Sequence, residues 1–226
     1  RTLRSVYNKA IKRKCVGKEY YPFEDFHINK FNVHTDKRAI SKNDVLKIIS
    51  ADLTGKSEYV KFSRDIFVFS YLCGGINFCD VASLTKENIL NGRLFYVRQK
   101  TGKQINLCLT KNASAIIDKY YKGGKGFLFP ILDVTRHITA TQRENRLHKV
   151  LGQVDKSLKI VAQIAKVDVN LTTYVARHSY ATVLKRSGVP TSIICESLGH
   201  SSERVTQIYL DSFENEQIDE AMKNLL

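Results

Sequence analysis

Leu171-Thr-Thr-Tyr174-Val-Ala-Arg177-His178-Ser-Tyr180-Ala-Thr182, then Leu198-Gly199-His200-Ser201-Ser202, then Tyr209 nine residues beyond His200: the reading of this chain turns on that order. It places a guanidinium on one helix, an imidazole at a helix junction behind a glycine cap, and a phenol on the next helix. Brought together, these groups can hold a phosphodiester and attack it. A free tyrosine has a pKa of about 10, so it needs help to become a nucleophile at neutral pH. Arginine suits the phosphate because its planar fork gives two parallel hydrogen bonds and stays charged. One such donor in an organised site lowers a barrier by about 3 kcal/mol. Arg177 sits in an otherwise apolar segment and is expected to be buried, which calls for an anionic partner that a DNA phosphate would supply.

The same stretch resembles the C-terminal catalytic boxes of the tyrosine recombinases, the phage-integrase family, whose pattern is roughly H-x-L-R-H, then L-G-H, then a tyrosine nine residues on. The resemblance implies a mixed, mainly α fold with a small antiparallel β-sheet, the DNA breaking-rejoining catalytic domain. It implies Tyr209 as nucleophile, with a 3′-phosphotyrosine intermediate and a released 5′ hydroxyl. Arg177 is then the phosphate clamp, and His200 donates to the same phosphate. Lys100, before Thr101-Gly102, lies where the family keeps the acid for the leaving oxygen.

Two positions depart from the family pattern. The first box, commonly T-G-x-R-x-x-E-L, reads Gly74-Gly75-Ile76-Asn77-Phe78-Cys79-Asp80-Val81, so Asn77 stands at the arginine position and Asp80 at the acidic one. Tyr174 replaces the histidine three residues before Arg177. Residues i and i+3 share a helix face, so Tyr174 is expected to reach the site as a hydrogen-bond donor. Arg98 precedes Lys100 by two residues; on a strand the two would project from one face about 7 Å apart. Arg98 is therefore the expected source of the second guanidinium, the alternative being a solvated strand arginine.

By the same resemblance the partners are double-stranded DNA and further copies of the chain, a tetramer on two duplexes, with accessory DNA-bending proteins. The setting is a bacterial mobile element, acting in the cytoplasm on the nucleoid as integrase or invertase. The covalent link conserves bond energy, so no cofactor is implied, and His27, His34 and Cys15 fit no common zinc spacing. Three other readings stay open: a helix-turn-helix DNA binder built from Ile193 to Leu210, a type IB topoisomerase-like relaxing enzyme, and an inactive relative.

Composition points the same way. A formal charge of +14 on 226 residues favours polyanions, and residues 1–14 carry six cations and no acid. No run of 18 apolar residues and no apolar leader follow, which argues against a membrane span or secretory signal. Of the five cysteines, Cys73, Cys108 and Cys195 have apolar neighbours and read as reduced core thiols. The only methionine is Met222, so the chain is expected to be part of a longer protein.

Along the chain, residues 1–14 (Leu3, Val6, Tyr7, Ala10, Ile11) read as a basic amphipathic helix, the last of an upstream core-binding domain. Residues 15–36 read as a linker and 37–226 as the catalytic domain. Ser41 to Asp44 predicts a capped helix start, and Ser57 to Cys73 a second helix ending at Gly74-Gly75. A short helix is expected near Val81–Leu84, then a hairpin of Leu94–Gln99 and Gln104–Leu109 around Lys100–Lys103. A helix over Asn112–Tyr121 and a Gly-rich turn precede a nearly all-helical stretch from Thr135, with Pro190 at a helix start and Gly188 and Gly199 at helix ends. The tail, 214–226, is expected to be an amphipathic helix that docks on a neighbour.

Overall fold

In the computed structural model the chain divides into two compact units, Arg1–Lys37 and Arg38–Leu226. The structure describes residues 2–24, 39–124 and 126–210, the side chains of Ile208 and Tyr209 excepted. The predicted tail helix lies outside the described residues.

In the first unit, helix α1 spans Thr2–Lys12. Leu3 and Val6 of its apolar stripe are exposed, whereas Tyr7, Ala10 and Ile11 are partly covered. Covering comes from the segment read as linker. A 3-10 turn at Lys18–Tyr20 brings Tyr21 and Phe23 back to Tyr7, with ring centroids 6.0 and 6.2 Å away. Arg4 Nε donates to the Tyr21 hydroxyl at 2.9 Å.

The second unit is built around α3, Glu58–Leu72. Nine of its fifteen residues are buried, among them Phe62, Ile66, Phe67 and Phe69, so it is apolar almost all round and must be enclosed on every side. Around it lie α2 (Lys42–Ser50), α5 (Lys111–Tyr120), α6 (Ala140–Ile164) and α7 (Thr173–Arg186). The long α6 contributes Val150, Val154, Leu158 and Val161, an i, i+4 stripe that meets one face of α3. Phe129 packs edge-on against Phe69, centroids 4.9 Å apart.

Hydroxyl side chains start these helices. Ser41, Ser57, Thr110 and Thr139 each accept a backbone amide three residues on. At α2 the reciprocal half of the expected box differs: Asp44 accepts the Ser41 hydroxyl itself, 2.7 Å away.

The sheet has three strands in the order β1 (Ile89–Leu90), β2 (Arg93–Val97) and β3 (Gln104–Cys108), all antiparallel. The hairpin pairs Arg93 with Cys108 and Val97 with Gln104, so both strands are shorter than predicted. Strand β1 was not expected; Asn91 (φ 50°) and Gly92 (φ 72°) turn it into β2 as a two-residue loop. The short helix, α4, runs Phe78–Ser83 and starts directly at Asn77 rather than at Val81. Cys73 and Cys195 are buried as expected, but Cys108 is exposed on the outer face of β3. Its apolar neighbours alternate around it rather than enclose it.

After α7, the helices α8 (Thr191–Leu198) and α9 (Glu203–Tyr209) fold onto a second, smaller core of Ala181, Ile194, Leu198 and Leu210. No helix among the described residues is long and apolar enough to cross a membrane.

Candidate active site

Four chain segments far apart in sequence meet at the turn between α8 and α9. They are the turn after α3 at Gly75, the β2–β3 loop, the middle of α7, and the turn itself, Leu198-Gly199-His200. Arg177 is 1% exposed although it is one of the largest side chains in the unit. Its Nη1 donates to the Gly75 carbonyl at 2.7 Å and its Nη2 to the Leu198 carbonyl. Arg98 is 4% exposed and its Nη1 donates to the Gly199 carbonyl at 2.7 Å. Thr101 Oγ1 donates to that same carbonyl at 3.0 Å, which fixes the loop carrying Lys100. Two guanidiniums from different segments thus grip consecutive carbonyls of one turn.

Glycine makes this approach possible. Gly75 has φ +64°, and a Cβ there would lie 2.8 Å from the Cα of Arg177. Gly199 has φ +61°, and a Cβ there would lie 2.8 Å from Ile105 Cδ1 and 3.2 Å from Arg98 Cδ.

His200 is buried, and its Nδ1 lies 2.8 Å from Thr206 Oγ1. Burial first, then the charges of Arg177, Arg98, Lys100 and Lys103, push its pKa down to about 4, so the imidazole is neutral at physiological pH. Asp80 is 3% exposed; its Oδ1 accepts the amide of Gln99 at 3.1 Å, while its Oδ2 has no hydrogen-bond partner among the described residues. Burial raises its pKa, against the lowering effect of the Gln99 amide and the two arginines. Arg98 Nε likewise has no hydrogen-bond partner among the described residues, and Arg98 forms no ion pair among them.

Arg177, His200 and Arg98 are brought together. Lys100 is exposed in the loop that Thr101 anchors. The expectation that Arg98 and Lys100 share a strand face is corrected: β2 ends at Val97, Arg98 continues the inward series of Leu94 and Tyr96, and the turn carries Lys100 outward. A bond from the Arg98 amide to the Lys103 carbonyl (2.8 Å) and from the Gly102 amide to the Arg98 carbonyl (2.8 Å) sets that turn. Asn77 caps α4 through its backbone without a side-chain cap bond. Tyr174 is 39% exposed and stands edge-on to His178, centroids 4.5 Å apart. Tyr209 ends α9. It is bracketed by Thr206 (0% exposed) and Leu210 (7%).

Asp80 and Thr206 carry contacts in the site that sequence reasoning did not assign to them. Asp80 was legible as the acidic member of the first box; Thr206 had no sequence signal beyond its place one turn before Tyr209. No group of three or more His, Cys, Asp or Glu side chains among the described residues is placed to hold a metal ion.

Comparison with known proteins identifies the family and the fold. The model of the phage integrase family matches residues 38–216. The tyrosine recombinase XerA of Pyrococcus horikoshii is 26% identical over 201 residues, covering 85% of this chain and 65% of the relative. The tyrosine recombinase XerS of Streptococcus pyogenes serotype M5 is 25% identical over 171 residues, covering 72% and 45%. The chain therefore spans less than two thirds of the length of either relative. Among solved structures, a lambda integrase dimer bound to a COC′ core site superposes with a TM-score of 0.62 at 16% identity, covering 94% of this chain and 73% of that one. XerA recombinase gives 0.59 at 16% identity over 82% and 64%. The Tn1549 transposon integrase in complex with a circular intermediate DNA gives 0.57 at 16% over 98% and 76%. These structures share the fold.

Proposed function

Because this chain belongs to the phage integrase family, we propose that it is the catalytic part of a site-specific DNA recombinase, the integrase or invertase of a bacterial mobile element. The observation that carries the reading is the convergence of Arg98, Arg177 and His200 on one turn, a single short helix before Tyr209. Two buried cations beside one buried, reluctantly ionised carboxylate make a pocket with excess positive charge, suited to a phosphate.

Tyr209, giving up its phenol proton to water, attacks the phosphorus of a DNA strand; a 3′-phosphotyrosine bond forms as the bond to the 5′ oxygen breaks. Arg177 and Arg98 neutralise the non-bridging oxygens, with Arg98 in the role that Asn77 cannot fill. His200, neutral, donates a hydrogen bond to the same phosphate, and Lys100 delivers the proton to the leaving 5′ oxygen. Tyr174 hydrogen-bonds at the edge of the pocket. A second strand's 5′ hydroxyl then reverses the step, which needs no nucleotide cofactor. Residues 1–14 would close an upstream DNA-clasping domain, 15–36 would link it, and 37–226 would form the catalytic domain. The tail 214–226 would dock on a neighbouring copy in a tetramer on two duplexes. Relatives bound to DNA as dimer and as tetramer on a Holliday junction support that assembly. Against the helix-turn-helix binder stands the use of α9: its Thr206 is turned inward to His200 rather than outward to bases.

Covalent trapping on a nicked suicide duplex, cut from the ends of the element that encodes the chain, tests this. The expected product is an SDS-resistant adduct mapping to Tyr209, absent from Tyr209→Phe, and lost by at least about 100-fold in Arg98→Ala with DNA binding retained. An adduct on Tyr174 would overturn the assignment of roles. Full cleavage by Arg98→Ala would remove Arg98 from the mechanism.

A further inference from the structure

In the contact between His200 and Thr206 only the imidazole would touch DNA, and the contact has a chemical direction. Thr206 is 0% exposed, and the His200 ring is its hydroxyl's one hydrogen-bond partner among the described residues. A helical threonine usually gives its hydroxyl proton to the carbonyl a turn earlier; here Oγ1 meets an imidazole nitrogen instead.

Two arrangements fit a separation of 2.8 Å. If Nδ1 carried the proton and donated, the Thr206 hydroxyl proton would be buried without an acceptor, a loss comparable to a broken hydrogen bond. If the hydroxyl donates to the Nδ1 lone pair, both groups are satisfied, and the ring proton sits on Nε2. We propose that Thr206 is a positioning residue: its hydroxyl donates to Nδ1 and locks His200 in the Nε2–H tautomer, while the same bond latches the helix bearing Tyr209 to the pocket. The inference rests on the recombinase reading for its purpose, since a phosphate needs a donor at Nε2, but not for its geometry. The surrounding cations Arg177, Arg98, Lys100 and Lys103 oppose a doubly protonated ring, so one nitrogen must be left as acceptor and something must select which.

The latch also explains how the end of α9 is held. Its hydroxyl contact at Thr206 and the burial of Leu210 in the small core lie on either side of Tyr209, so the backbone of the nucleophile is fixed from both directions.

Two measurements on the full chain separate the latch from the recombinase reading. In the first, nitrogen-15 spectra of histidine-labelled protein at neutral pH report the tautomer, with the His200 signal among the six identified by its loss in His200→Gln. The wild type and Thr206→Ser are expected to show Nε2–H with an unprotonated Nδ1, and Thr206→Val to shift toward Nδ1–H. Nδ1–H in the wild type overturns the proposal even if Thr206→Val fails to fold, and so does an unchanged tautomer in a folded Thr206→Val. In the second, strand cleavage should fall about 10- to 100-fold in Thr206→Val, recover in Thr206→Ser, and show no further fall when Thr206→Val is added to His200→Ala. Additive losses in that double variant overturn the coupling. Absence of cleavage by the wild type would sink the recombinase reading while leaving the tautomer result intact.

Discussion

Two carboxylates of this protein are buried alike, Asp65 at 5% exposed and Asp80 at 3%, and they are treated in opposite ways. Asp65, on α3 facing α5, has donors on both oxygens. Its Oδ1 accepts from Arg64 at 2.9 Å, and its Oδ2 from Lys119 at 2.6 Å and the Tyr120 hydroxyl at 2.8 Å. Asp80, among the arginines of the site, has one amide on Oδ1 and no partner on Oδ2 among the described residues. The first arrangement staples two helices and gives both carboxylate oxygens a cationic donor. The second holds charge at a cost of burial and keeps polar capacity in reserve, which is what a pocket for a charged ligand requires. Asp65 at the scaffold end thus has a partner on each oxygen, whereas at the site end Asp80 Oδ2 and Arg98 Nε have none among the described residues.

The largest break in that contrast should come from closing the turn that admits Arg177. Gly75→Ala combines a left-handed backbone, about 1–2 kcal/mol, with overpacking against the Arg177 stem, about 1–3 kcal/mol more. Gly55, at φ +74° with nothing within 4 Å of where a methyl group would stand, is the matched control. Gly55→Ala should lose only the backbone contribution in urea denaturation. Equal losses at the two glycines would show that the site end is no more tightly fitted than a surface turn.

That turn was legible in the sequence because Gly74-Gly75 ends an apolar helix, a local signal; so were the cap at Ser41 and the hairpin around Thr101. Arg177 and His200 were legible through the resemblance to the family's C-terminal boxes. What escaped had its cause elsewhere in the chain. Strand β1 is two residues long, too short for alternation to register, although Asn91-Gly92 is a strong two-residue turn signal once a strand is allowed before it. Arg98 was expected at the site, but on a strand face shared with Lys100; its place in the inward series Leu94, Tyr96, Arg98 is set by the Gly199 carbonyl that receives it, 101 residues on. The Asp65 cluster depends on Lys119 and Tyr120, more than fifty residues away, and no local pattern encodes it.

The next effect sharpens the contrast through pH. His200 is a second group at the site end whose charged form the fold disfavours, with a folded pKa of about 4 against 6.5 for a free ring. Between these values the unfolded chain binds a proton that the folded chain does not, so stability falls as pH drops from 6.5 to 4. The loss attributable to this ring is about 3 kcal/mol. Urea denaturation of His200→Gln across that range should show a correspondingly flatter profile. An unchanged slope would mean that the ring is open to solvent and the site less enclosed than its neighbours indicate.

The smallest effects come from neutralising the two carboxylates themselves, and here the sign matters more than the size. Asp65→Asn removes the anion that faces Arg64 and Lys119. Both cations are partly exposed, at 21% and 44%, and can turn to water. The expected loss is therefore about 1–3 kcal/mol, the range for hydrogen bonds to a charged group. Asp80→Asn keeps an oxygen for the Gln99 amide and removes a charge that burial already penalises, so at neutral pH stability should change by less than about 1 kcal/mol. Its acid behaviour is the sharper test. Because the folded pKa of Asp80 lies above 3.8, the folded chain holds its proton where the unfolded chain has lost it, and this group alone gains stability as pH falls through that window. It opposes His200. Asp80→Asn should therefore steepen the acid loss that His200→Gln flattens. A flatter profile in Asp80→Asn would mean that the arginines overcome burial and hold Asp80 ionised, so that its charge is as firmly engaged by the fold as that of Asp65.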